Sequence, residues 1–129
     1  MEDIDLSGFS NAVSRVSEAL AKPPANDLER DGGIQRFEYT YELAWKMMRR
    51  HLLAMDAPDA DLLGRKELFR EAARRGLIDD PELWFIFQKA RNITNHNYDE
   101  HKAEASCRAA IDFLPHAKGL LKKLIDLHA

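Results

Sequence analysis

The sequence predicts an all-α fold: an up-and-down helical bundle of four main helices plus a short extra helix, one domain, and dimeric. Three observations predict it. Apolar residues recur at three- and four-residue intervals almost throughout, the spacing of one face of a helix. Proline, glycine and aspartate stand where such helices would stop and start. The one apolar run that reads as a buried strand finds no partner strand elsewhere in the chain.

Phe9, Val13, Val16 and Leu20 mark a first amphipathic helix from about residue 5 to 21. Pro23-Pro24 ends it, because proline has no N–H and restricts the residue before it. The stretch from Ala25 to Gly33 is polar and holds Gly32-Gly33, so part of it reads as loop. A second helix carries Ile34, Phe37, Tyr41, Ala44, Trp45, Met48, Leu52 and Met55, and Ala57-Pro58-Asp59 closes it. A shorter helix from about Arg65 to Arg75 turns Leu68, Phe69, Ala72 and Ala73 inwards, with Gly76 just past its end. Asp79-Asp80-Pro81-Glu82 then supplies a cap, a first-turn proline and an acid at the positive end of the helix dipole.

The fourth helix opens with Leu83-Trp84-Phe85-Ile86-Phe87. A helix apolar all round needs cover on several sides, which a second subunit can supply. This helix weakens over Asn92-Ile93-Thr94-Asn95-His96-Asn97, residues that compete for backbone hydrogen bonds. The fifth runs from about Asp99 to Leu127 on a stripe of Ala103, Cys107, Ala110, Leu114, Ala117, Leu121 and Leu124, with a kink expected at Pro115.

The 129 residues suffice for one core, and 45% hydrophobic with 32% charged is the composition of a soluble globular domain. A net charge of -3 argues against a protein that coats nucleic acid nonspecifically. Local basic patches at Arg49-Arg50, Arg65-Lys66 and Arg70 to Arg74-Arg75 read first as solvated helix faces. The single cysteine, Cys107, sits in an apolar register, so no disulfide within the chain or cysteine-based zinc site is expected. The start, Met1-Glu2-Asp3-Ile4-Asp5, lacks the pattern of a signal peptide, and no run approaches a membrane span. Together these point to a cytoplasmic protein. His51, His101, His116 and His128 are scattered without metal spacing and read as surface residues, so no metal or cofactor is expected. Asp59-x-Asp61 lacks the Gly-Ser loop and strand that a magnesium-holding transferase site requires.

The stretch that bears on function is Arg91-Asn92-Ile93-Thr94-Asn95-His96-Asn97-Tyr98. Arginine clamps phosphate through a planar fork of donors, and histidine moves protons near neutral pH. Such a pair can cleave a phosphodiester without a metal. On an unbroken helix five residues turn through about 500°, leaving Arg91 and His96 about 140° apart. Either the helix ends before His96, or the two residues meet across a dimer axis. Plainer roles stand beside these. Arg91 can pair with an acid such as Glu100 or Asp99, and His96 can interact with free carbonyls at a helix end. Asn92 can order a phosphate or the imidazole, or bond backbone. Tyr98 can pin the start of the last helix. Tyr39, Tyr41 and Trp45 suggest a platform for a base, though Tyr41 and Trp45 lie on the core stripe.

Three segments together resemble the HEPN superfamily, in particular its HepT-like branch, also called nucleotidyltransferase substrate-binding proteins. They are Phe37-Glu38-Tyr39-Thr40-Tyr41-Glu42-Leu43-Ala44-Trp45-Lys46, the Ala90 to Glu100 stretch with its Arg-x4-His-x-Tyr pattern, and Phe113-Leu114-Pro115. The resemblance implies a helical homodimer partnered with a minimal nucleotidyltransferase. It implies a ribonuclease site at Arg91 and His96 in a toxin of a toxin–antitoxin pair; the chemistry of the two side chains needs no metal, and Asn92 is the third catalytic candidate beside them. It further implies that the partner silences the toxin by adding AMP to Tyr98. RNA is then the substrate. The alternative is a non-catalytic substrate-binding subunit of a two-component nucleotidyltransferase; a third reading is a simple dimerisation module.

Overall fold

The computed structural model describes residues 4–55, 58–93 and 99–128, all helices and connections. The chain order is α1 (Ser7–Ala19), α2 (Asp27–Ala54), a 3-10 turn (Pro58–Leu62), α3 (Arg65–Arg74), α4 (Pro81–Arg91) and α5 (Glu100–His128). This is the expected set of four main helices and a short one. No described helix is long and apolar enough to cross a membrane.

Helix α2 starts seven residues before Ile34, so Gly32-Gly33 lie inside it and not in a loop. Its start is made by side chains. Asn26 accepts a hydrogen bond from the Glu29 amide at 2.9 Å, and the Glu29 carboxylate accepts one from the Ala25 amide at 3.0 Å. The cap and two acids in the first turn offset the poor helix propensity of the glycines. Gly33 has a packing reason as well. A Cβ there would stand 2.6 Å from Leu20 Cδ2, so its absence lets the end of α1 lie close on α2.

The later boundaries match the sequence signals. Gly76 follows α3 with a φ of 80°, which a side chain would disfavour. Asp80 caps α4 through the Glu82 amide at 2.9 Å, with Pro81 in the first turn. Helix α5 continues on both sides of Pro115.

The core lies where α2 and α5 face each other with α1 and α4 against them. At its centre Phe113 meets Phe37, Phe87 and Trp84 edge-on, with ring centroids 5.1, 5.3 and 5.6 Å apart. The buried stripe of α5 runs through Phe113 and Leu120, while Leu114 and Leu121 flank it half-buried. Met55 also departs from expectation: it follows the last turn of α2 and is exposed. In α4, Trp84 and Phe87 are buried, Leu83 and Phe85 are half-buried, and Ile86 is 57% exposed. One chain therefore leaves part of that apolar run uncovered.

Candidate functional site

Arg91 is the last residue of α4, and Asn92 is its C-cap. The Asn92 amide donates to the carbonyls of Gln88 at 3.0 Å and Lys89 at 3.2 Å, and its side chain is exposed. Ile93 is already outside the helix. Helix α4 thus ends at Arg91, before His96. His96 and Tyr98 themselves lie outside the described residues.

The acid facing Arg91 is neither Glu100 nor Asp99. Glu100 accepts from Arg30 at 2.6 Å, and Asp99 Oδ1 accepts from the Lys102 amide at 3.1 Å at the start of α5. Arg91 instead presents Nε to Glu42 Oε1, on α2, at 3.2 Å. The same carboxylate takes both terminal nitrogens of Arg65, on α3, at 2.8 and 2.9 Å. Three helices therefore meet at one carboxylate between two guanidiniums, leaving one net positive charge. Glu42 is about a quarter exposed and Arg91 about a third, so the group sits at the surface of the bundle.

The electrostatics follow from that contact. The hydrogen bonds from Arg65 hold the Glu42 carboxyl below the usual carboxylate range, opposed by partial burial and helped by the charges of Arg91 and Lys46. Beneath it, burial pushes the Tyr41 phenol up, with Arg65 acting against the rise. Arg91 meets Glu42 as an ion pair only: its Nε makes no hydrogen bond, nor do its terminal nitrogens bond another described residue. A planar fork of this kind is suited to phosphate oxygens.

The aromatic residues divide. Tyr41 is wholly buried and Tyr39 is 63% exposed. Trp45 is half-buried, with the guanidinium of Arg65 over its ring at 4.4 Å and that of Arg49 at 5.0 Å. On α3, Arg70 pairs with Glu67 while Arg74 and Arg75 share Glu71, which makes that face a set of internal ion pairs. Asp61, in the 3-10 turn, faces Arg49 at 3.4 Å.

Two contacts were not legible in the sequence. Glu42 and Arg91 belong to different helices, and only the quoted α2 segment hinted that Glu42 matters. His51 and His128 also meet, with Nδ1 and Nε2 2.7 Å apart, and His51 is buried. One nitrogen must donate and the other accept. Burial, with His128 and Arg75 adding, depresses the basicity of His51. Among the described residues no group of three or more His, Cys, Asp or Glu is placed to hold a metal ion.

Residues 4–126 match the family model described as nucleotidyltransferase substrate binding protein like. A Haemophilus influenzae protein named probable ribonuclease HepT is 44% identical over 95 residues, 72% of this chain and 65% of that protein. The matched region thus spans a little under two thirds of the curated relative's length. A Haemophilus influenzae structure, described as revealing the fold of a substrate binding domain of a nucleotidyltransferase, superposes with a TM-score of 0.86 at 34% identity. The match covers 94% of this chain and 99% of that one. A crystal structure from Thermus thermophilus gives a TM-score of 0.76 at 29% identity, covering 90% and 98%. On the strength of a match that spans nearly all its length, the chain belongs to the nucleotidyltransferase substrate binding protein-like family.

Proposed function

We propose that this chain is a metal-independent endoribonuclease of a toxin–antitoxin pair, with a minimal nucleotidyltransferase as its partner. The observation that carries the reading is the posture of Arg91, five residues before His96. Glu42 stands 3.2 Å from its Nε as an ion pair without a hydrogen bond, and its terminal nitrogens carry no hydrogen bond to another described residue. The relative named as a probable ribonuclease points the same way.

In this mechanism His96 takes the proton of a ribose 2′-hydroxyl, and the 2′-oxygen attacks the adjacent phosphorus. The 5′-oxygen leaves and takes the proton back from the His96 imidazolium, giving a 2′,3′-cyclic phosphate and a 5′-hydroxyl end. Arg91 stabilises the charge that develops on the phosphate oxygens, and Asn92 orders the phosphate beside it. Glu42 positions Arg91 without touching substrate.

The test is cleavage of a defined single-stranded RNA, with the product ends determined. Arg91→Ala loses about 10²- to 10³-fold in rate, and His96→Ala about 10²- to 10⁴-fold. Excess EDTA leaves the rate unchanged. An active His96→Ala protein, or inactivation by EDTA, rejects the mechanism.

The partner's action is assigned to Tyr98. Adding AMP to its hydroxyl places a negative charge near the Arg91 fork and a nucleoside in the cleft, so silencing needs no change of fold. Incubation with the transferase, ATP and magnesium should add one or more AMP masses to the wild type and none to Tyr98→Phe. Tyr98→Phe retains its nuclease activity. A mass shift that persists in Tyr98→Phe removes this assignment.

A second reading is favoured by the same ion pair. Glu42 neutralises part of the charge around Arg91, as a purely structural pair would. The chain is then a non-catalytic subunit presenting a substrate to the transferase. Loss of transferase turnover in Arg91→Ala, with no RNA cleavage by the wild type, would select it.

A further inference from the structure

We infer that Trp45, Arg49 and Arg65 form a ledge that grips the RNA backbone on the approach to Arg91; this rests on the ribonuclease reading above. The two guanidiniums lie over the Trp45 ring at 5.0 Å for Arg49 and 4.4 Å for Arg65. Stacking on an indole fixes a long flexible side chain before any ligand arrives, so less freedom is lost on binding. The ring is half-buried, which makes it a rigid base for both.

The charges in this corner are unevenly matched. Arg65 is bound by both oxygens of Glu42. Among the described residues Arg49 pairs only with Asp61, at 3.4 Å, and that carboxylate is 61% exposed. Such a pair is weak in water and gives way to a stronger anion. Lys46, the residue after Trp45, is exposed and forms no ion pair among the described residues. The buried polar atoms without a hydrogen-bond partner among the described residues include Trp45 Nε1 and Arg49 Nε here, with Tyr41 Oη and Arg91 Nε beside them. Buried donors are seldom left unpaired, and these gather at one corner. Yet the chain as a whole carries a net charge of -3, so this cationic corner runs against the overall balance.

The geometry favours phosphate over a base. With both guanidiniums over the ring, Trp45 acts as their support: Arg49 presents its terminal nitrogens to the ligand, while Arg65, held by both oxygens of Glu42, adds its charge. Glu42 links Arg65 to Arg91, so the ledge leads directly to the cation placed at the scissile phosphate. RNA held by its backbone in this way is bound without regard to sequence.

The experiment measures binding of a short fluorescein-labelled single-stranded RNA by anisotropy, in a His96→Ala background, across a salt series. Arg49→Gln weakens binding roughly three- to tenfold and reduces the slope of log K against log salt by about 0.7, one phosphate contact on a single strand. Arg108→Gln, which removes the same charge from an exposed position on α5, changes neither by as much. Should Arg49→Gln fail to fold by circular dichroism, Arg49→Lys keeps the charge but loses the planar fork and binds with reduced affinity. Equal effects of Arg49→Gln and Arg108→Gln overturn the ledge while leaving RNA cleavage by the wild type standing. Arg49-dependent binding together with no RNA cleavage by the wild-type chain keeps the ledge and rejects the nuclease reading. Loss of the homodimer in Arg49→Gln with unchanged RNA affinity per subunit makes the corner a protein contact, and the ledge falls.

Discussion

In the proposed site Glu42 is the residue to test first, because two guanidiniums stand against one carboxylate that they themselves keep ionised. Glu42→Gln keeps the shape and removes the charge, leaving Arg65 and Arg91 to repel each other. Partial exposure limits the stability cost to about 1 kcal/mol. The rate should fall further, up to about 10²-fold, because Arg91 then lacks its anchor. The pH dependence carries a definite sign. The folded carboxyl lies below its ordinary value of 4.5, so its stabilisation is complete above that pH and is lost as pH falls through the lower folded value. Melts of wild type and Glu42→Gln should therefore converge on acidification below 4.5. His51 has the opposite chemistry but the same direction. Its folded form resists protonation, so stability is full above its ordinary 6.5 and declines as the unfolded chain takes up protons below it. His51→Asn should flatten that decline; an unchanged pH profile would place its cause elsewhere. Neither residue's partner could be read from the sequence, since both contacts join distant helices.

The helices themselves were far more legible. Asp80 and Pro81 mark the start of α4 with groups that act within one turn, and Gly76 marks the end of α3 by its positive φ. These are local effects, and local sequence carries them. The start of α2 was obscured because Gly32-Gly33 resemble a loop, whereas the deciding groups are Asn26 and Glu29 upstream and Leu20 on another helix. The two glycines now separate propensity from packing. Gly32→Ala meets nothing within 4 Å and should stabilise the helix by about 0.5–1 kcal/mol. Gly33→Ala drives its methyl against Leu20 and should melt below Gly32→Ala, having lost that gain to displaced packing. Equal melting temperatures would show that Leu20 moves aside freely. Removing the cap with Asn26→Ala should cost about 1 kcal/mol. The face of α5 was read one residue out of phase at Leu114 and Leu121, because stripes through 113 and 120 or through 114 and 121 are equally regular until neighbouring helices select one.

At the scale of the whole molecule, the outstanding demand is the outer face of α4. Phe85 and Ile86 at its middle and Ile93 beyond its end line an open groove of about 580 Å³, with Lys66, Lys89, Gln88 and Asn92 at its rim. Ile86 in particular lies 57% exposed in the middle of a five-residue apolar run whose other members turn inwards or sideways. Apolar surface of this kind is favourably removed from water, and a twofold axis lets one such face cover its own copy. The same arrangement would bring two Arg91 sites towards each other, since Arg91 and Asn92 close the helix that lines the groove. A homodimer through α4 is therefore the expected state in solution. Light scattering on the purified chain at micromolar concentration should give twice the mass of one chain. Ile86→Arg should give a monomer that retains the helical circular dichroism of the wild type, because the substituted side chain contributes little to the core. If the nuclease site is shared across the axis, the monomer also loses RNA cleavage; if each chain carries a complete site, cleavage per chain survives. A wild type that is monomeric at these concentrations would require Arg91 and His96 to act within one chain.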